Sequence, residues 1–308
     1  MTEVRGTLRE NVALGPLAWF RVGGPAERLY QPADAEALAA FLAATPADVP
    51  VLPMGVASNM LIRDGGVRGV VVRFGGPLAR VEVDGTTVIA GAGALDQRVA
   101  QVAERAGLTG IEFLIGIPGT IGGAVRMNAG AFGGETRDRL VWAEALDRSG
   151  LLHRLGNAEL GFVYRNSALP ADWIVVRAAF ALEAGDQALI KARMAAIKAE
   201  REAAQPLKVA TGGSTFKNPS GHRAWQLIDR AGCRGLTHGA AMVSDKHCNF
   251  LINTGGATAA ELESLGLMVQ DRVEASSGIR LEWEIKRLGE AVAAVAPSSQ
   301  NAINGVHS

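Results

Sequence analysis

The chain has 308 residues, 48% of them apolar and 20% charged, with 31 basic side chains matching 31 acidic ones. That balance excludes a disordered chain and gives no overall basic excess for a nucleic-acid or anionic-membrane partner. Cys233 and Cys248 are too few for a disulfide framework, residues 1–10 lack the apolar segment of a secretory signal, and no apolar run reaches membrane-spanning length, so a cytoplasmic protein is expected.

The length suits about two domains. Residues 1–18 read as a lead-in and residues 19–30 as strand, turn, strand. A helix is expected over 35–44, with Leu38, Phe41 and Leu42 at helical spacing and Asp34 as its N-cap. A short strand over 51–53 runs into Gly55-Val56-Ala57-Ser58-Asn59, which reads equally as a ligand turn or a plain strand-to-helix turn. Val-rich strands over 67–74 and 79–90 follow, with Asp84-Gly85 as a hairpin turn. Gly91-Ala92-Gly93 then opens a helix over 95–106. The pattern approaches a dinucleotide fingerprint, with Glu112 near the downstream acid position, but Asp96 replaces the third glycine and reads as a helix N-cap.

Residues 107–135 organise the chain: GLTGIEFLIGIPGTIGGAVRMNAGAFGGE, nine glycines set among Ile, Leu, Phe, Val and Met. A flexible linker has no such apolar filling. Glycines allow close backbone approach, and successive N–H groups can form an anion-binding nest. The segment from Gly116 to Ala124 therefore reads as backbone around a phosphate-bearing cofactor, or as a tight glycine-rich core crossing. Strands are expected over 140–147, 150–155 and 173–182, and a boundary helix over 186–204. In the last third come a polar loop over 211–219, helices over 224–231 and 257–276, a strand over 250–253, and an alternating strand over 281–288 with Leu281, Trp283 and Ile285 on its apolar face.

Three residues could do chemistry. Ser214 follows two glycines and could donate a proton or merely bond its own turn. Glu284 could be an acid at a cleft or a surface partner of Lys286. Arg165 offers fixed charge for a carboxylate or enolate, or a structural ion pair. His247-Cys248 lacks partners at ligand spacing, so no metal is expected.

Taken in order, WFRVGGPAE, PMGVASNMLIRDGG, the 107–135 loop, YRNS, GGSTFKNP, VSDKHCNFLIN and LEWEIKRLG closely resemble the UDP-N-acetylenolpyruvoylglucosamine reductase family and span residues 19–289. The resemblance implies an α+β fold: an FAD-binding module of the vanillyl-alcohol-oxidase (PCMH) type over 19–185, with subdomains at about 19–75 and 76–185, then a smaller α+β substrate domain over 186–290 and a flexible tail over 291–308. It implies non-covalent FAD held by Gly55, Ala57, Ser58, Asn59, Met60 and Leu61 from one loop. Gly116, Ile117, Pro118, Gly119, Thr120, Gly122, Gly123 and Ala124 would hold it from the other. Arg165, Ser214 and Glu284 fall on the family's catalytic positions, and Tyr164, Lys217, Asn218 and His247 on motifs facing the UDP-sugar. NADPH is the implied reductant of FAD and UDP-N-acetylglucosamine-enolpyruvate the substrate, in a monomer.

Two departures stand out: Ala57 replaces a usual glycine, where its methyl is expected to tighten the pyrophosphate turn, and Ala18 replaces Thr or Ser. The short spacing between YRNS and GGSTFKNP matches the branch without a substrate-covering loop. A flavin oxidase of the same cofactor fold would keep residues 20–185 but not Ser214 and Glu284 in these motifs. A nucleotide-binding sensor would keep only the glycine loops.

Overall fold

Three β-sheets, each with its own helices, carry the chain from residue 5 to residue 292, the span that the computed structural model describes. The expected tail at 291–308 falls almost wholly outside it. The first sheet has four strands in the order Gly6–Ala13, Pro25–Pro32, Val67–Arg73, Val51–Met54, antiparallel at the first pairing and parallel at the other two. Helix α1, Ala35–Ala44, starts where the Asp34 carboxylate accepts the Ala37 N–H at 2.8 Å. Leu38 and Leu42 of α1 are fully buried in one apolar cluster with Val70 and Val72. The lead-in reading of residues 1–18 needs correction, since residues 6–13 form an edge strand. Their side chains are mostly exposed, so backbone pairing holds them rather than an apolar face.

The second sheet is antiparallel, in the order Leu152–Gly156, Leu140–Leu146, Ile174–Ala181, Thr87–Gly91, Val81–Asp84. The Asp84-Gly85 hairpin is present, with Asp84 opposite Thr87 and Gly85 at φ +57°. Helices α2 (Asp96–Arg105), α3 (Ile121–Met127) and α4 (Gln187–Ala204) supply buried residues to its core, including Val99, Ile121 and Ile197. The boundary at residue 186 therefore moves. Ile190, Met194 and Ile197 put α4 with the second sheet, and the third core begins after it.

That third unit is a four-stranded antiparallel sheet, Ala210–Ser214, Phe250–Asn253, Ala241–Val243, Thr237–His238, packed on α5 (Ala224–Arg230) and α6 (Ala259–Ser277). It is tied to the first unit along the chain's return path. Lys286–Leu288 pairs in parallel with Met60–Ile62, while Phe20, Val22 and Leu61 are buried in the third core. The alternating strand expected over 281–288 is thus a strand only at its end. Leu281 and Ile285 are buried as expected, but no neighbour continues the ladder before Lys286 beyond one bridge between Phe216 and Trp283.

Asp64 accepts the Ala259 and Ala260 N–H groups, each at 2.9 Å, and so closes the start of α6 from the first unit. Asp64→Ala should cost about 0.5–2 kcal/mol, the usual worth of an N-terminal helix cap, read as a lowered melting temperature. An unchanged melt would mean that the Thr258–Glu261 capping box suffices alone.

Candidate active site

Two loops, one from each of the first two units, meet across a cavity of about 440 Å³. The turn after Val51–Met54 supplies Gly55, Ala57, Ser58, Asn59 and Met60. The segment from Gly116 to Ala124 supplies all eight of its expected positions, and the two loops touch where Gly55 meets Thr120. Backbone bonds fix the second loop against the turn at 91–96: Gly122 N–H donates to Ala92 O at 2.9 Å, and Ile121 N–H to Ala94 O at 3.0 Å. A Cβ on Gly119 would press on the Asp96 carboxyl and one on Gly122 would crowd Ala92, so glycine favours this close approach.

Among the described residues, the N–H groups of Thr120 and Gly123 have no acceptor, the Gly119 backbone faces the Asp96 carboxyl, and the space above Gly123 is open. Free amides on small residues at a helix start suit a phosphate, so the site fits a pyrophosphate-bearing cofactor. Leu61 departs from its expected role: its side chain is 1% exposed and belongs to the third core, so it offers the cavity no side-chain contact.

Ala57 takes the left-handed conformation, φ +51°, that favours glycine. Its methyl is buried in a small core that also holds Ala18, so both departures from the family pattern fall in one apolar cluster. The packing of that methyl opposes a backbone strain of about 1 kcal/mol.

The chemistry-bearing residues come from three distant stretches and share one wall. Ser214, Arg165 and Glu284 all line the cavity. Ser214 ends the strand Ala210–Ser214 at a bulge, beside Gly213 at φ +77°. The next carbonyl, Thr215 O, accepts the Glu284 N–H at 2.8 Å, which clamps the serine and glutamate segments together. Asn59 joins them to the cofactor loop: its Nδ2 donates to Glu284 O at 3.2 Å, and its carbonyl accepts the Lys286 N–H at 3.0 Å.

Arg165 Nε donates to Glu284 Oε1 at 2.9 Å, with the two side chains 21% and 15% exposed. The surface pairing of Glu284 with Lys286 is therefore not what forms. Burial raises the Glu284 carboxyl above its ordinary range, and Arg165 and then Lys217 only partly oppose it. Arg165 is itself left-handed at φ +57°, as the two-residue turn between the bridged Val163 and Asn166 requires.

The four residues expected on the sugar side do not line the cavity. Tyr164 is 45% exposed and lies under the Arg165 guanidinium, 5.0 Å from ring centroid to carbon. Lys217 pairs with Glu282. Asn218 accepts the Ala224 N–H at 2.9 Å and starts α5. His247 packs edge-on to Phe250, 4.8 Å between centroids, behind a residue that does line the cavity.

Glu112 is no ribose ligand, because the Thr109 hydroxyl and the Gly110 N–H, at 2.5 and 2.8 Å, occupy its carboxylate. Sequence reasoning missed Arg126, Phe132, Trp173, Arg201 and Lys208 on the cavity wall: the first two lie in the organising loop but outside its Gly116–Ala124 stretch, and the other three sit in ordinary surroundings along the chain. The one available signal was Arg126 inside the organising loop.

Residues 26–156 match the family model described as an FAD binding domain, and residues 205–288 match that of the UDP-N-acetylenolpyruvoylglucosamine reductase C-terminal domain. A UDP-N-acetylenolpyruvoylglucosamine reductase of Paramagnetospirillum magneticum is 57% identical over 289 residues, covering 94% of each chain. One of Bradyrhizobium sp. is 58% identical over 291 residues, again covering 94% of each. The crystal structure of UDP-N-acetylenolpyruvylglucosamine reductase from Thermus caldophilus superimposes with a TM-score of 0.81 at 36% identity, over 92% of this chain and 99% of that one.

Proposed function

The chain belongs to the UDP-N-acetylenolpyruvoylglucosamine reductase family, and from that membership we propose that it uses NADPH to reduce the enolpyruvyl ether of UDP-N-acetylglucosamine-enolpyruvate to UDP-N-acetylmuramate, in peptidoglycan precursor synthesis. It is an FAD-dependent oxidoreductase. The observation that carries the proposal is the meeting of Arg165, Ser214 and Glu284 on one wall of the cavity that both glycine loops enclose.

FAD, when bound, supplies the hydride chemistry, accepting a hydride from the nicotinamide and giving it to the terminal vinyl carbon. Thr120 and Gly123 would hold its pyrophosphate through free N–H groups. Hydride addition leaves negative charge on the ether-bearing carbon and its carboxylate. Arg165 meets that charge with a planar array of donors. Glu284, biased by burial toward its neutral form, donates a further hydrogen bond there. Ser214 Oγ delivers the proton to the ether-bearing carbon, and a C–H bond forms as the O–H bond breaks. Tyr164, Lys217, Asn218 and His247 are assigned to the UDP-sugar, Tyr164 and Lys217 being the two that adjoin Arg165 and Glu284.

The purified protein should be yellow, bleach with NADPH, and regain its flavin absorbance when the enolpyruvyl sugar is added. Bleaching without recovery would sink the substrate assignment, and faster bleaching by NADH would sink the choice of reductant. The flavin should be non-covalent, because residues 20–150 contain no His or Cys to attach it. Acid precipitation should leave it in the supernatant; flavin retained on the polypeptide overturns this.

Arg165→Lys keeps the charge but loses the planar fork that can meet a carboxylate with two donors. It should slow substrate-dependent reoxidation by at least about tenfold, an estimate for losing one oriented donor, and leave FAD bound. Normal turnover at saturating substrate would make Arg165 a structural partner of Glu284.

A further inference from the structure

Asp96 does not do what its position at the start of a helix suggests. The N-cap of α2 is Leu95, and no side chain caps the helix. Asp96 is instead its first helical residue, 1% exposed, with neither carboxyl oxygen in a hydrogen bond of full geometry and only the Gly119 backbone opposing the burial of its charge. It lines the cofactor cavity, and Oδ2 occupies the space that a Cβ on Gly119 would need. Its backbone is committed to the same loop, with the Asp96 N–H donating to Gly119 O at 3.1 Å. Of the basic residues on the cavity wall, Arg126 is spent on the carbonyls of Leu169, Pro170 and Trp173, Arg165 on Glu284, and Arg201 on Gln205; Lys208 and Lys286 complete the set. None reaches Asp96.

A buried carboxyl with two empty acceptor oxygens weakens the fold that contains it. An apolar side chain would fill the position better. The cost is explained if a ligand brings the missing donors. The Gly116–Thr120 loop beside Asp96 is the one suited to phosphate, and an ionised phosphodiester brings no donor for the two empty acceptor oxygens. In FAD the groups on either side of the pyrophosphate are polyols, the ribityl chain and the ribose. Two adjacent hydroxyls can donate to two carboxyl oxygens at once.

We propose that Asp96 is a cofactor-binding residue, its carboxyl oxygens accepting hydrogen bonds from neighbouring hydroxyls of the ribityl or ribose portion of FAD. The assignment rests on the FAD site and not on the sugar substrate, so it stands or falls separately from the proposed reaction.

The test uses Asp96→Leu and Asp96→Asn, each stripped of flavin and titrated with FAD by fluorescence, alongside melting of the flavin-free proteins. Asp96→Leu should bind FAD about 10- to 100-fold more weakly, the range for losing two ordinary hydrogen bonds. Its flavin-free form should melt no lower than wild type, because the unpartnered carboxyl is gone. Asp96→Asn, which keeps one acceptor oxygen, should fall between wild type and Asp96→Leu, and serves alone if the leucine variant does not fold. Weaker binding of riboflavin 5′-phosphate by the variants would place the hydroxyls on the ribityl chain, and weaker binding of ADP would place them on the ribose. FAD affinity within twofold of wild type in the variants overturns the proposal. So does a parallel fall in affinity and flavin-free melting temperature, which would make Asp96 a prop for the loop, and so does a loss with FAD that neither fragment shows.

Discussion

In Ser214→Ala, NADPH should still bleach the flavin at close to the wild-type rate, while reoxidation by the enolpyruvyl sugar should fall by about a hundred- to ten-thousand-fold, the usual cost of losing a positioned general acid. The two half-reactions separate because only the second needs a proton delivered to carbon. Folding should survive the change. Ser214 closes an edge strand at a bulge, its backbone remains in place without the hydroxyl, and an unsatisfied neighbour would cost at most about 1–3 kcal/mol. Stopped-flow absorbance of each half-reaction decides the matter. Equal losses in both would mean that Ser214 shapes the flavin site, and an intact reoxidation rate would pass the proton-donating role to Glu284.

The parts of this fold that were legible in the sequence are those with local causes. Asp34 caps its helix through its own carboxylate, as short-range N-terminal signals do, and Asp84-Gly85 turns its hairpin. The glycine loop was legible because apolar residues between glycines signal packed backbone, and every expected position from Gly116 to Ala124 lines the cavity. What escaped has non-local causes. The edge strand Gly6–Ala13 has no buried stripe and is held by pairing with Pro25–Pro32. Helix α4 looks like a boundary in composition, yet three of its residues complete the second core. Asp96 carries the ordinary signature of a cap, and only the fold reveals that its carboxyl is buried and unpartnered.

The active-site residues show the same division. The motif resemblance singles out Arg165, Ser214 and Glu284, but nothing within LEWEIKRLG distinguishes Glu284 from its exposed neighbour Glu282. The difference comes from residues more than a hundred positions away in the chain. Arg165 bonds the Glu284 side chain, and Asn59 bonds its carbonyl. For Leu61 the side chain goes the other way from its neighbour Met60, which lines the cavity: it is buried in the third core, leaving only its backbone near the cofactor loop.

The pH dependence of reoxidation should follow Glu284. A buried carboxyl with a raised pKa keeps its proton to higher pH than the ordinary glutamate value of about 4.3, and burial is the dominant cause here, with Arg165 opposing it. If the neutral acid is the working form, rising pH removes it, so the reoxidation rate should fall through an apparent pKa above that ordinary value. Glu284→Gln retains a hydrogen-bond donor of similar shape, cannot ionise, and should abolish this limb with only a modest loss of rate at low pH. Glu284→Ala removes the donor and leaves Arg165 without its carboxylate. It should lose about a hundred- to a thousand-fold in reoxidation, as when one donor to a developing oxyanion is deleted. Folding carries a matching sign. A glutamate that is harder to ionise in the native state contributes stability in full below its unfolded pKa and loses it as pH rises through the folded one. Melting temperatures of Glu284→Gln should therefore fall less than those of wild type over the same pH range. A reoxidation rate that instead rises with pH in wild type and is flat in Glu284→Gln would make the ionised carboxylate the working form, with its task reduced to orienting Arg165.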